Sequence, residues 1–264
     1  MKNVVVIPVY KAQLSHAEYL SLCQCLKILT NHHICLVIPK GLNTEIYQTL
    51  FQKYQVPFRE ESFDSVFFQD INGYNQLMMS KHFYERFIAF EYMLVYQLDA
   101  YVFRDELNEW CAKGYDYIGA PFFRKDKLDK KDSGNGGFSL RKILSFINLF
   151  SHNRKLLTFK GLLFYHRHRG PLHKSWFVLS GLFGRCNSLQ SLIQNTIAED
   201  LLYASLKYKR EEKWEIPASE EAKFFSFEQF PSELFQLTGH RLPFGCHAWQ
   251  KYEYDSFWKQ FIAL

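Results

Sequence analysis

The feature that most restricts the fold is the alternation of short, β-branched apolar runs with segments of helical period in the first hundred or so residues. Val4-Val5-Val6-Ile7-Pro8-Val9 shows no polar alternation, which is the pattern of a strand buried on both faces. Ser15 with Glu18 three residues later is a capping-box signature, and Leu20, Cys23, Leu26 and Leu29 follow at helical spacing. Ile34 to Ile38 reads as a second strand, ended by Pro39-Lys40-Gly41. Residues 43–54 read as a second helix with Ile46, Leu50 and Phe51 on one face, and Val56-Pro57-Phe58 opens a third strand. This β-α-β-α-β order predicts a parallel sheet with right-handed crossovers. A helical stretch from Gly73 to Phe90 then leads into the apolar run from Tyr92, expected as a strand that ends on Asp99. In open α/β sheets ligands bind beyond the carboxyl ends of the strands, and Tyr10 and Asp99 both fall at such ends.

With 264 residues and 47% apolar content, the chain can bury one sizeable core, so a single domain over 1–264 is expected. Aromatics reach 18%, with 26 phenylalanines, a loading that suits a packed core as well as ring stacking on a ligand. The formal charge of +5 is mild and lacks the clustering of a nucleic-acid binder, which argues against nucleic acid as a partner. It suits an anionic small substrate or an anionic membrane surface. None of the six cysteines forms a C-x-x-C pair, so free buried thiols in a reducing compartment are expected and zinc is not. Val4 to Val9 is too short for a secretory core, and no later run is long and uncharged enough to span a membrane. The expectation is a cytoplasmic protein.

After Asp99 the pattern predicts a helix near 105–112, a short strand from Tyr115 to Ile118 and a Pro-containing loop. Residues 124–133, rich in Lys and Asp without an apolar period, read as a flexible loop. Residues 152–174 hold Arg154, Lys155, Lys160, His166, Arg167, His168, Arg169, His173 and Lys174 among aromatics and leucines. That segment is either an exposed basic loop packed by its rings or a surface for peripheral contact with the inner face of an anionic membrane.

Four short motifs contain the chemistry. A carboxylate at the end of an apolar strand, Asp99, is either a turn cap or the ligand of a metal, a sugar hydroxyl or a metal-bound phosphate. Gly134-Asn135-Gly136-Gly137 permits positive φ and close backbone approach, yet lacks the Gly-Lys-Ser/Thr ending of a phosphate-binding loop. Thr196 and Glu199 form a second capping box, which gives Glu199 a structural task, whereas Asp200 is not needed for the cap and has the chemistry of a general base. His247, within Pro243-Phe244-Gly245-Cys246-His247-Ala248-Trp249, is either a packed histidine or, with Asp99, half of a metal site that holds a diphosphate.

Taken together and in this order, these motifs resemble the GT-A superfamily of nucleotide-sugar glycosyltransferases, and more closely a bacterial GT-A-like family catalogued as a domain of unknown function. The matching residues are Val6 to Lys11, Gly73 to Met78, Tyr96-Gln97-Leu98-Asp99-Ala100-Tyr101-Val102-Phe103, Tyr115 to Pro121, Gly134 to Arg141, Glu199-Asp200 and Pro243 to Trp249. The resemblance spans roughly residues 3–250 and implies an α/β, Rossmann-like fold with a mostly parallel central sheet flanked by helices, the basic segment 152–174 standing as an insertion. It implies that Pro8, Val9 and Tyr10 line the nucleotide pocket and that Asn75 approaches the donor sugar or ribose. The same comparison places Asp99, Ala100 and Tyr101 at the Asp-x-Asp position that holds metal and diphosphate. Asn135, Gly136 and Gly137 would lie under the donor sugar. Asp200, with Glu199, matches the catalytic Glu-Asp motif of inverting enzymes, and His247 matches the late histidine that completes the metal shell with Asp99.

The chain departs from that family at one point. Tyr101 stands where the second carboxylate of Asp-x-Asp is expected, so Mn2+ or Mg2+ would lose a charged ligand, unless Asp105 supplies one. The resemblance implies an inverting glycosyltransferase that moves a sugar from a nucleotide diphosphate sugar to a hydroxyl of a glycan or lipid-linked acceptor in surface polysaccharide synthesis. The missing carboxylate motivates a different reading, a non-catalytic glycan-binding or scaffolding subunit of the same fold.

Overall fold

The computed structural model describes residues 2–124, 127–152, 156–167, 169–183, 186–194, 199–209 and 214–263, with the main chain alone at 124, 127, 129–132 and 135. The chain runs β1 (Asn3–Pro8), α1 (His16–Ile28), β2 (His33–Pro39), α2 (Glu45–Tyr54), β3 (Phe58–Phe63), α3 (Ile71–Met78), α4 (Lys81–Glu85), β4 (Tyr92–Tyr96), β5 (Tyr101–Val102), α5 (Leu107–Ala112), β6 (Tyr117–Arg124) and β7 (Lys127–Lys142). It continues through α6 (Ile143–Phe150), α7 (Phe159–Tyr165), α8 (Pro171–Leu182), α9 (Leu189–Gln194), α10 (Glu199–Ser205), α11 (Ser219–Phe225), β8 (Ser226–Phe227), α12 (Pro231–Leu237) and β9 (Gly245–Cys246).

The main sheet has the order β3-β2-β1-β4-β7-β6. The first four of these strands are mutually parallel, as the alternating pattern predicts, and β7 is antiparallel to both β4 and β6. The unbroken apolar run of β1 has a simple cause. Val4 and Val6 enter the core on one face of the sheet and Val5 and Ile7 enter the core on the other, so no position is free to be polar. Helices α1 and α2 cover the second face, while α3, α4, α6, α7 and α10 contribute to the first. A three-stranded sheet, β5-β9-β8, sits over a separate apolar cluster that includes Phe227, Trp249 and Trp258.

Local signals in the sequence are realised where short-range chemistry sets them. Ser15 accepts the Glu18 N–H, and the Ser15 N–H donates to the Glu18 carboxylate at 2.8 Å, so the capping box forms. The single helix expected up to Phe90 is instead two, because the Ser80 hydroxyl accepts the Phe83 N–H and starts α4 afresh. The loop expected over 124–133 is a correction: from Lys127 onward these residues are strand β7, paired through Arg124↔Lys127 and Phe123↔Leu128 with β6. Backbone pairing needs no apolar period, so the sequence pattern was silent there. Pro121 lies inside β6 and not in a loop. It is tolerated because β6 is the last strand of the sheet and its register breaks on both sides of Pro121. The basic segment is also not a loop but contains α7 and the start of α8.

Close packing joins the small sheet to the large one. A Cβ on Gly245 of β9 would lie 2.4 Å from Cζ of Phe138, a buried β7 residue. Gly245→Ala is expected to destabilise the fold by about 1–3 kcal/mol through this overpacking, measurable by urea denaturation; an unchanged midpoint would contradict the close approach.

Candidate active site

Three sets of backbone hydrogen bonds bring the chemistry together. The β4–β7 ladder ends at Tyr96↔Phe138 and is extended by one bond, Gln97 N–H to the Gly137 carbonyl at 3.0 Å. Strands β8 and β9 run parallel with Phe227 opposite Cys246, so Glu228 and His247 leave the sheet side by side. Strands β5 and β9 run antiparallel with Tyr101 opposite Cys246, which returns Asp99 to the same place.

His247 is the centre of this arrangement. Its Nδ1 donates to Glu228 Oε2 at 2.9 Å. Its Nε2 faces Gln97 Oε1 at 3.1 Å and Asp99 Oδ1 at 3.2 Å. The Gln97 amide is fixed in turn, since its Nε2 donates to the Tyr74 hydroxyl at 2.9 Å. Burial opposes a charge on the imidazole, but the Glu228 and Asp99 carboxylates outweigh it and raise the pKa to about 10. The ring is therefore an imidazolium at neutral pH. Burial likewise works against ionised Asp99, and the hydrogen bond and charge of His247 hold its carboxyl below the usual range. The glycine at 137 is obligatory, because a Cβ there would lie 2.0 Å from His247 Nε2.

Beneath this cluster lies a buried cation. Arg141 of β7 is wholly excluded from solvent. Its Nη1 donates to the Tyr84 hydroxyl at 2.9 Å and its Nε to Ser139 Oγ at 3.2 Å, and Nη2 reaches Glu199 Oε1 at 3.4 Å. The rings of Tyr203, Tyr117 and Phe146 surround it. Glu199 thus has a structural partner in Arg141, while the capping box expected with Thr196 lies outside the described residues. Asp200, next along α10, has no ion pair among the described residues, though it feels the charge of Arg167. Its carboxylate accepts the Leu201 N–H at 2.7 Å. Burial, with the Glu199 and Glu228 charges added, lifts its pKa to about 8.

These residues line a cleft of about 730 Å³ at the carboxyl ends of β1 and β4. Pro8, Tyr10, Asn75, Asp99, Gly136, Gly137, Glu199, Asp200 and His247 all reach it, as expected. Three expected donor contacts do not. Val9 and Ala100 are fully buried in the core beneath, and Tyr101 turns away to pack on Phe103 and Trp249. The side chain of Asn135 lies outside the described residues. Strand β4 ends at Tyr96, so Asp99 sits in the turn that follows and is half-exposed there. Asp105 supplies no metal ligand, because its carboxylate holds His32 at 2.8 Å.

Gln97 and Glu228 were not singled out as site residues by sequence reasoning. Glu228 follows Phe224-Phe225-Ser226-Phe227, which ends in strand β8, so the rule that drew attention to Asp99, a carboxylate at a strand end, would have found it.

A divalent ion would fit this donor set in place of the His247 Nε2 proton, since Gln97 and Asp99 bring an amide oxygen and a carboxylate to 3.1 and 3.2 Å from that nitrogen. Mn2+ accepts such mixed nitrogen and oxygen ligands. Among the described residues no group of three His, Cys, Asp or Glu side chains is arranged to hold a metal ion by itself, so substrate oxygens would have to complete the shell.

The strand order and the cleft at its carboxyl edge are those of a GT-A fold. The chain superposes on mouse xyloside xylosyltransferase 1 with a TM-score of 0.50 at 11% identity, over 94% of this chain and 97% of that one. Further structural similarities are to the galactosyltransferase LgtC in complex with donor and acceptor sugar analogues (TM-score 0.49, 10% identity, 92% and 86% covered). Core-mannan synthase A of Aspergillus fumigatus in an Mn/GDP form is also similar (TM-score 0.45, 9% identity, 79% and 70% covered). No curated protein matches the sequence. Residues 57–247 match the family described as protein of unknown function DUF5672, and the chain belongs to that family.

The two neighbouring carboxylates on α10 should respond oppositely to neutralisation. Glu199→Gln weakens the pairing of a buried guanidinium and is expected to cost up to about 3–5 kcal/mol. Asp200→Asn is expected to stabilise. The folded-state pKa of about 8 exceeds the usual carboxylate value of 3.8, so the native protein holds a proton that the unfolded chain releases. Wild-type stability therefore falls as pH rises from about 4 to about 8, and the asparagine variant escapes that loss. Melting temperatures across this range should diverge with rising pH, by roughly 2–4 °C for each kcal/mol. Parallel curves would refute the assignment.

Proposed function

We propose that the protein is an inverting glycosyltransferase that moves a sugar from a nucleotide diphosphate sugar to a hydroxyl of a glycan or lipid-linked acceptor, in surface polysaccharide synthesis. The observation that supports this most directly is the half-buried Asp200, without an ion pair among the described residues, in the same cleft as the His247–Asp99 pair. On this reading Asp200 takes a proton and the pair meets a diphosphate.

Asp200 accepts the proton of the acceptor hydroxyl as its oxygen attacks the anomeric carbon, and the bond from that carbon to the diphosphate oxygen breaks with its electrons. Attack from the face opposite the leaving group inverts the anomeric centre. Gly136 keeps the floor of the cleft open, since a Cβ there would come 2.9 Å from Glu199 Oε1. Tyr10, half-exposed beyond β1, offers a ring to the nucleotide base.

Electrostatics argues for a cation with the donor. The cleft is lined by Glu18, Asp70, Asp99, Glu199 and Asp200, with no lysine or arginine among the described lining residues. Glu18 is neutralised by Lys11 at 2.8 Å and Glu199 by Arg141. Among the described lining residues, a diphosphate placed there meets one cationic side chain, His247. Mn2+ or Mg2+, held by Asp99, His247 and Gln97, would supply Lewis-acid stabilisation of the leaving diphosphate.

Two measurements test this reading. In the presence of a saturating nucleotide diphosphate, manganese should raise the melting temperature beyond the nucleotide alone, with a stabilisation of about 2.7 kcal/mol at a hundredfold excess over Kd. Asp99→Asn should remove the manganese increment. Asp200→Asn should lower transfer at least about a hundredfold with nucleotide binding retained. In the wild type, kcat/KM should climb about tenfold per pH unit below pH 8 and level off above it, as the base ionises. Intact nucleotide binding without turnover on any acceptor would instead favour the non-catalytic glycan-binding reading.

A further inference from the structure

Helix α8 turns its most apolar side outward. Leu172, Trp176, Leu179 and Phe183 recur at spacings of four, three and four residues, on one side of a helical period. They are 85%, 59%, 55% and 81% exposed. The opposite side, with Val178 and Gly181, is the buried one. There the helix packs on α7, and a Cβ on Gly181 would come 2.9 Å from Leu162 Cδ1. A surface helix ordinarily shows solvent its polar side, so a stripe of four large apolar side chains calls for a cover.

Charge identifies the cover. The sequence has no Asp or Glu between Ser133 and Ala198, while Lys160, Arg167, Arg169 and Lys174 lie on α7, on α8 and in the turn between them. The whole chain carries a net charge of only +5, so this cationic stretch is a local concentration. Lys160 and His173 are exposed, and Lys174 and Arg169 are half-exposed. A second copy of the chain would bring the same cations face to face across an isologous contact.

We propose that α8 is an in-plane anchor that docks the chain on an anionic lipid bilayer surface. Leu172, Trp176, Leu179 and Phe183 enter the boundary between headgroups and acyl chains, and the surrounding cations face lipid phosphates. With 12 residues the helix is about 18 Å long, too short to cross a hydrocarbon core of about 30 Å. No helix among the described residues is long and apolar enough to do so. Trp176 has the amphipathic ring favoured at that interface. Because α8 packs on α7 and α7 on α10, the anchor lies two helices from Asp200. On the transferase reading, this places the base near the membrane surface and narrows the acceptor to a lipid-linked one. The docking itself does not depend on that reading.

The test is co-sedimentation of the full chain with vesicles of phosphatidylcholine alone or of phosphatidylcholine and phosphatidylglycerol in equal parts. At least tenfold more protein should partition onto the anionic vesicles, and added salt should reduce it. Trp176 is the exposed member of the five tryptophans, so emission should shift to the blue on binding and the shift should vanish in Trp176→Ser. A Leu172→Ser/Phe183→Ser double variant should lose at least tenfold in vesicle binding with an unchanged melting temperature and unchanged nucleotide binding. Equal vesicle binding by that variant, or no preference for the anionic lipid, would overturn the proposal. So would a concentration-dependent dimer of the wild type that the double variant abolishes.

Discussion

The Arg141 guanidinium is completely enclosed, and a charge in that position is tolerated only when its donors and its field are both satisfied. The satisfaction comes from four separate elements: Ser139 of β7 itself, Tyr84 of α4, Glu199 and Tyr203 of α10, and Tyr117 of β6. The consequence reaches beyond stability. Glu199 is drawn to Arg141, which fixes the first turn of α10 against β7, and Asp200 is thereby held in the cleft without an ion pair among the described residues. One carboxylate serves the fold while its neighbour faces the cleft. The raised pKa of Asp200 follows from the same arrangement, because it is buried beside a carboxylate that cannot move away.

A second electrostatic unit, Glu228–His247–Asp99, lies across the cleft. Its imidazolium is held by two carboxylates, so a net negative charge remains. That balance disfavours a bare anionic ligand and favours one that arrives with a cation. The Tyr101 side chain, which replaces an expected carboxylate, is absorbed into the aromatic cluster around Trp249. Its position is occupied by packing and not by a weakened ligand. The Gln97 amide, oriented by Tyr74, brings a further oxygen to 3.1 Å from His247.

The outward stripe of α8 and the acid-lined cleft have opposite electrostatic character, and the chain keeps them on different elements of one layer. Asp99 and Glu228 follow strand ends and Glu199 and Asp200 open α10, while the stretch from Ser133 to Ala198 has no acidic residue. Such segregation allows one face to meet an anionic surface and a separate cleft to hold a metal-bound anion, with α7 and α10 between them.

The sequence by itself determined the parallel half of the sheet, because runs such as Val4 to Ile7 are apolar on both faces and turn signals bound them. It also determined the Ser15–Glu18 cap and the strand-end position of Tyr10, since these depend on contacts a few residues apart. The GT-A resemblance pointed to Asp99, Asp200 and His247, and all three line one cleft. What the sequence left open is long-range. The strand character of 127–133 depends on pairing with β6, and the partner of Glu199 is a residue 58 positions away in the chain. Whether His247 meets Asp99 is decided by two short strands whose register no local pattern encodes. Burial of Val9, Ala100 and Tyr101 was equally undecidable from their neighbours, because a motif fixes which residues are adjacent in sequence while only packing fixes which way each side chain points.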